Sequence, residues 1–297
     1  MKIEMFGLKL PEIKPGDDLV KLIIEKAQPE ADGIKDGDVI IITSKILSKA
    51  LGFLIDSEKV TPSKKALRIA KVTGGDPKLI QAVLDNSDDL LFVVPIYKLA
   101  KKAGSLEKIS KNQEKGWEVL RKTACELITI RDDLLGGNAG LDMSNHPEGI
   151  ASVPPKNMDE IAKKFRKEIL ERTRNEVAVI ITDTEGISPL GTLDFARGVS
   201  GIQINAQQLG EADLYGKPKY GGMDSIVDEI ACASALLMGQ TREGIPCVIM
   251  RGFKYNKSEE GISDYRINPD IIRKVIKEII KHSVKALGWR WFFRVIK

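Results

Sequence analysis

Cysteine is scarce in this 297-residue sequence: Cys125, Cys232 and Cys247 stand apart, with no C-x-x-C spacing. An odd, scattered set excludes a disulfide framework and argues against a thiolate zinc site. Three ordinary buried thiols are the expectation, given how often cysteine is buried. Histidine is rarer still, with His146 and His282 alone. No triad partner can be placed for either, and H-E-x-x-H, G-x-S-x-G and the Rossmann glycine pattern are absent. No run approaches the ~18 apolar residues of a membrane span. The first residues, MKIEMFGLKLPEIKPG, contain no apolar signal segment. A reducing, cytoplasmic setting is therefore expected. Neither charge sign dominates: 46 Lys/Arg face 42 Asp/Glu, for a net +4. A nucleic-acid partner would call for a larger, segregated basic excess and is not expected.

Apolar patterning is present in quantity. Hydrophobic residues make up 42% and charged residues 30%, a balance that suits one large buried core. Val39-Ile40-Ile41-Ile42-Thr43 is a continuous apolar run of the buried-strand type, as is Val177 to Ile181. Asp17-Asp18 can start a helix bearing Leu19, Leu22, Ile23 and Ile24. Residues 63 to 85 read as helix, broken at Gly74-Gly75-Asp76-Pro77, and Leu90 to Ile96 as strand. Glu126 to Ile130 is strand-like, and Asp159 to Arg174 is an amphipathic helix with Ile161, Phe165, Ile169 and Leu170 on one side. Ser225 to Met238 and Ile271 to Leu287 complete the helices, and Ile245 to Met250 the strands. Strands and helices alternate irregularly, which predicts an α+β class of mixed-sheet α/β layers rather than a regular βαβ series. Residues 1–255 read as one domain, with a Lys-rich insertion or helical excursion at about 98–122. Residues 256–297 form a C-terminal helix and an aromatic, basic tail. That tail, Trp289 to Lys297, suits either a membrane surface or packing against the core or a second copy.

Four constellations carry candidate chemistry. Asn138 to Asn145 sets Asp142 in a glycine-rich loop, where the slim backbone lets a hard cation approach. By residue type alone an Asx-rich turn is the plainer reading. Val177 to Ile181 runs into Thr182-Asp183-Thr184-Glu185-Gly186. This places Asp183 and Thr184 at a strand end, where α/β folds bind ligands, although a strand-to-turn cap explains the same residues. Two such acidic loops together fit a paired metal site on a nucleotide's phosphates. Ser48-Lys49 follows a buried strand and can meet phosphate oxygens, or simply open a solvated helix; no Walker A loop is present. Asp228-Glu229 opens an apolar helix, where acids either complement the helix dipole or serve as ligands to a metal or substrate.

In order and spacing these segments resemble the coenzyme F420-0:L-glutamate (gamma-glutamyl) ligase family. The matching stretches are Leu10 to Leu19, Ser44 to Ala50, Asn138 to Asn145, Ile180 to Thr184, Asp213 to Gly216, Asp228 to Ala231, Leu236 to Gly239 and Gly244 to Gly252. The resemblance implies that family's fold, as an intertwined homodimer. It also implies a GTP-dependent ligase that joins L-glutamate to an F420-0-like acid through an acyl phosphate. Carried over by position, Asp142, Asp183 and Thr184 would hold Mg2+ or Mn2+, with K+ a further cation. Leu10, Pro11, Ser48, Lys49 and Asn145 would contact GTP. No residue is assigned to the glutamate or to catalysis. The sequence departs from the family where arginines are expected: Glu185-Gly186-Ile187 follows Asp183-Thr184 with no arginine before Arg197, and Leu51-Gly52-Phe53 follows Ala50. Lost arginines are lost bidentate contacts. A diverged relative is expected, and a non-ligating nucleotide binder or a ligase for another carboxylate stay open beside it.

Overall fold

The computed structural model describes residues 2–104, 106, 110–188, 191–266 and 268–296; Lys108, Pro189 and Leu190 lie outside them. The apolar run of the sequence forms strand β2 (Val39–Thr43), whose first four residues are all fully buried. Side chains alternate along a strand, so β2 serves two cores at once. Ile40 and Ile42 face helices α1 (Leu19–Ala31) and α7 (Met158–Thr173), and Val39 and Ile41 face helix α8 (Ile226–Met238). The result is a helix–sheet–helix sandwich.

Five strands make the central sheet, in the order β1 (Glu4–Leu8), β10 (Cys247–Arg251), β2, β8 (Ala178–Ser188), β9 (Gly191–Ser200). Only the β2–β8 pair is parallel among these neighbours. Here one expectation is corrected. The apolar strand does not stop at Ile181: Thr182 to Gly186 continues β8 and pairs antiparallel with β9, with an irregularity after Ile181. Backbone pairing to β9 keeps the polar residues extended where their types alone suggest a turn.

A satellite layer sits beside this sheet. It contains helices α3 (Lys64–Thr73) and α4 (Pro77–Asp85) and an antiparallel sheet of β4 (Asp89–Val94), β5 (Glu126–Arg131) and β6 (Leu134–Gly137), around a third core of Ala66, Ile69, Ile80, Val83 and Leu127. The α3–α4 break falls at Gly74 (φ +88°), and Asp76 caps the next helix. Two short strands, β3 (Leu54–Asp56) and β7 (Ile150–Ser152), join the layers. The Lys-rich segment is the helical excursion, α5 (Ile96–Ala103) and α6 (Gln113–Thr123), held by edge-on packing of Tyr97 on Trp117 at 6.0 Å. Residues 206–222 form a protruding ribbon, bonded across from Gln208 to Gly222 and from Gly210 to Lys219. The chain ends in α9 (Pro269–Leu287) and α10 (Trp289–Ile296), and no described helix is long and apolar enough to cross a membrane.

A clasp ties the end of β10 to the start of β2 and to the end of α1. Arg251, ending β10, donates to both Asp38 carboxylate oxygens (2.8 and 2.7 Å) and to the carbonyls of Ala31 and Gly33, while its guanidinium lies 5.2 Å from the Phe6 ring centre. The side chain of Asp38 is 1% exposed. A second close fit is Gly198 on β9, where a Cβ would fall 2.5 Å from the Met158 carbonyl carbon at the start of α7. The helix end cannot retreat without opening its core. Gly198→Ala is therefore expected to cost about 2–3 kcal/mol, read as a lower urea midpoint with an unchanged slope.

Candidate active site

A cleft of about 790 Å³ opens between the central sheet and the satellite layer, within the usual size of small-molecule sites. Its walls come from five separate stretches. Leu10 to Ile13 follow β1, and Lys45, Ile46 and Lys49 lie on α2 (Ser44–Ala50). Gly137 to Asn145 run on from the end of β6, Thr182 to Glu185 lie on β8, and Met238 to Pro246 run on from the end of α8, with Glu126 of β5 and Asp194 of β9 added singly. The Leu10 N–H donates to the Gly244 carbonyl (3.1 Å), which joins the first and last of these.

The structure thus brings Leu10, Pro11, Lys49, Asn145, Asp142, Asp183 and Thr184 to one cleft. Ser48 is placed elsewhere: it is 1% exposed and its hydroxyl donates to the Ser44 carbonyl at 3.0 Å. Helix periodicity explains this. Residues four apart share a face, so Lys45 accompanies Lys49 into the cleft while Ser48 turns into the core. Spacing in Ser44-Lys45-Ile46-Leu47-Ser48-Lys49 contained that signal.

The two lysines grip the loop that carries Asp142. Lys45 Nζ lies 2.8 Å from the Asp142 carboxylate and donates to the Ser144 hydroxyl (2.6 Å); Lys49 Nζ donates to the Asn145 carbonyl (2.7 Å). Asn145 has a left-handed backbone (φ +57°), which asparagine tolerates, and its side-chain amide donates to the Thr241 carbonyl. Burial works to raise the Asp142 carboxyl, yet Lys45 and the Ser144 bonds outweigh it and hold the group below the ordinary aspartate range. His146 faces Ser152 (2.9 Å) rather than this cleft, and burial, then Lys49, holds its pKa down.

Asp183 has the opposite character. Burial pushes its carboxyl up to about 7; Arg197 opposes the rise, and Glu185 and Asp142 add to it. Beside it the Thr184 hydroxyl donates to Asp194 (2.7 Å) and accepts from the Gln240 amide (3.2 Å). Glu185 accepts from the Gly137 N–H (3.0 Å) and pairs with Arg197. Glu126 and Asp194 are also raised, each chiefly by burial. A crowd of carboxylates, several held toward the neutral form, is an environment that a hard cation would relieve.

The donor set fits such a cation. Gly140 (φ +72°) brings bare backbone against Asp183; a Cβ there would lie 3.6 Å from its carboxylate oxygen and 2.5 Å from Pro154. Among the described residues no three Asp, Glu, His or Cys side chains converge as a self-sufficient cage. Mg2+ and Mn2+ take one or two carboxylates and complete their shell with water and phosphate oxygens, and the cleft offers carboxylates at Asp142 and Asp183. Asp142, Asp183 and the Thr184 oxygen would be the holders.

Residue types alone did not single out Lys45, Glu126, Glu185, Asp194, Arg197 or the Met238 to Pro246 loop. Arg197, fourteen positions after Asp183 on β9, reaches the cleft only through Glu185, with which it pairs. Asp228, weighed as a ligand, instead accepts from the Ala196 N–H (2.8 Å) and the Ser225 hydroxyl (2.6 Å), pinning α8 to β9.

Comparison with known proteins follows the same segments. The family model described as F420-0:Gamma-glutamyl ligase matches residues 7–252. The protein named coenzyme F420:L-glutamate ligase in Archaeoglobus fulgidus is 35% identical over 285 residues, covering 94% of this chain and 100% of its own. Its namesake in Methanothermobacter thermautotrophicus is 34% identical, covering 88% and 94%. That in Methanocaldococcus jannaschii is 36% identical, covering 84% and 88%.

Proposed function

Because the chain belongs to the F420-0:gamma-glutamyl ligase family, we propose that its cleft runs a GTP- and metal-dependent ligation of L-glutamate to the carboxylate of F420-0 or a close relative. The family supports a ligase that attaches glutamate to F420-0. The nucleotide, the metal and the acyl-phosphate route are part of the proposal. One observation carries them: Asp142 and Asp183, 41 residues apart in sequence, line one cleft with Lys45, Lys49 and Asn145.

The chemistry needs an activated acyl group. The acceptor carboxylate takes the γ-phosphoryl group, GDP departs, and the glutamate amine attacks the acyl carbon. Phosphate leaves with the C–O electrons, and the amine proton goes to solvent or a nearby carboxylate. Lys45 and Lys49 supply positive charge to orient the phosphates, and the Gly239 to Gly244 loop lines the same cleft, its Thr241 carbonyl accepting from the Asn145 amide. A divalent cation at Asp142, Asp183 and Thr184 would neutralise phosphate charge and polarise the transferred group. Purified protein given F420-0, L-glutamate, Mn2+ and either GTP or ATP should yield a product heavier by one glutamyl residue, with matched phosphate release under GTP. Nucleotide binding that needs metal but yields no product from any F420-type acid would favour the non-ligating reading. The missing arginines between Thr184 and Arg197 speak for that reading.

A homodimer is part of the proposal. The ribbon 206–222 carries Leu214, Tyr215 and Tyr220 at 102%, 88% and 91% exposure, an apolar tip that a second copy would cover. Leu214→Ser/Tyr215→Ser should shift light scattering from dimer mass to monomer mass. An unchanged dimer would remove the ribbon from the interface.

A further inference from the structure

The helix pair at the C-terminus lies beyond residues 7–252, which the family model matches, and it concentrates the chain's positive charge. Residues 269–297 hold eight Lys/Arg against two Asp/Glu, which leaves 38 against 40 in the other 268. The whole positive excess of the protein therefore sits on this short segment. Its apolar residues are ordered as well. Ile271, Val275 and Ile279 recur every four residues along α9 and are all exposed; Trp289 and Phe293 repeat the interval on α10 at 68% and 61% exposure. Lys274, Lys277, Lys281 and Lys285 flank the stripe and face solvent. Among the described side chains of both helices none is buried, and Trp289 and Phe293 each meet Phe292 edge-on. Arg273 pairs with Asp89 of β4, which fixes where α9 leaves the body.

We propose that α9 and α10 attach the protein to a membrane surface bearing anionic lipid. The Ile, Trp and Phe stripe would enter the acyl boundary and the flanking Lys/Arg would reach the lipid phosphates. An amphipathic helix with a basic polar face and large aromatics on the other binds in the interface plane. Long cationic side chains keep their heads at the phosphates while their stems lie along apolar surface, and indole rings favour the same depth. The attachment is peripheral, since neither helix is long and apolar enough to cross. Charge argues against a second copy as the occupant: pairing this face with itself sets one net +6 segment against another. An anionic lipid surface supplies the complementary sign.

The test uses the full chain with vesicles of phosphatidylcholine alone or in equimolar mixture with phosphatidylglycerol. Co-sedimentation is expected with the mixed vesicles only, together with a blue shift of tryptophan emission. It should weaken at about 1 M salt, where screening is nearly complete. Trp289→Ser/Phe293→Ser and Lys274→Glu/Lys277→Glu/Lys281→Glu should each reduce the bound fraction by about ten-fold or more. Both sets are at exposed positions outside the cleft, so the thermal unfolding midpoint should stay unchanged. Three results would overturn the proposal. One is no binding to the mixed vesicles, and another is binding unaltered by both variants. The third is an oligomer that Trp289→Ser/Phe293→Ser dissociates while vesicles stay unbound, which would assign the surface to a protein.

Discussion

Asp183→Asn is expected to remove ligase turnover while making the metal-free protein more stable near pH 8. The two effects share one cause. The Asp183 carboxyl is buried among Glu185 and Asp142 and is pushed up to about 7. A folded pKa above the unfolded value means the group's stabilising share is full below the ordinary aspartate range. It is lost as pH climbs from there through about 7. Asparagine cannot ionise, so it avoids that loss. The stability difference between variant and wild type should be small near pH 4 and grow steadily to pH 8, as measured by urea unfolding in chelator. Turnover should fall by roughly 10³-fold, because a site built to place metal and phosphate loses several kcal/mol with one anionic donor. Activity within ten-fold of wild type would remove Asp183 from the chemistry. A variant less stable than wild type at pH 8 would contradict the electrostatic account of the cluster.

Arg251→Met should be the most damaging single change outside the cleft. The guanidinium satisfies both carboxylate oxygens of a buried Asp38 and two carbonyls at the end of α1. Methionine keeps much of the volume against Phe6 but leaves Asp38 charged with only the Lys35 N–H (2.8 Å) at its carboxylate. Breaking a buried pair by removing one partner costs about 3–5 kcal/mol, which for a chain of this size lowers Tm by roughly 6–20 °C. The double variant Arg251→Met/Asp38→Leu should recover much of that loss, since no unpaired charge then stays buried. Equal destabilisation of single and double variants would show that shape, not charge, sets the cost.

The sequence made the sandwich's centre plain because burial on both faces leaves a continuous apolar run, as in Val39 to Ile42. It also marked the α3–α4 break, since Gly74, Asp76 and Pro77 each have one local role. The stretch from Thr182 to Gly186 was harder to read. Its extended form depends on a partner, β9, whose own residues mix polar and apolar types. Site residues divide in the same way. Asp142 stands out in its loop and Asp183 after its apolar run by residue type, whereas Glu126, Glu185, Asp194 and Arg197 gain their character from burial against elements remote in the chain. Ser48 and Lys45 differ by a rotation of the helix, a matter of geometry that residue types do not state.

Lys45 and Lys49 already face the oxygens of Asp142, Ser144 and Asn145. Any polyphosphate that enters therefore competes with internal anions and carbonyls for the same two ammonium groups. Affinity will follow the difference between the two sets of contacts, and weakening the internal set, as in Ser144→Ala, can tighten the external one. The 142–145 loop and the incoming nucleotide are thus alternative tenants of one cationic face.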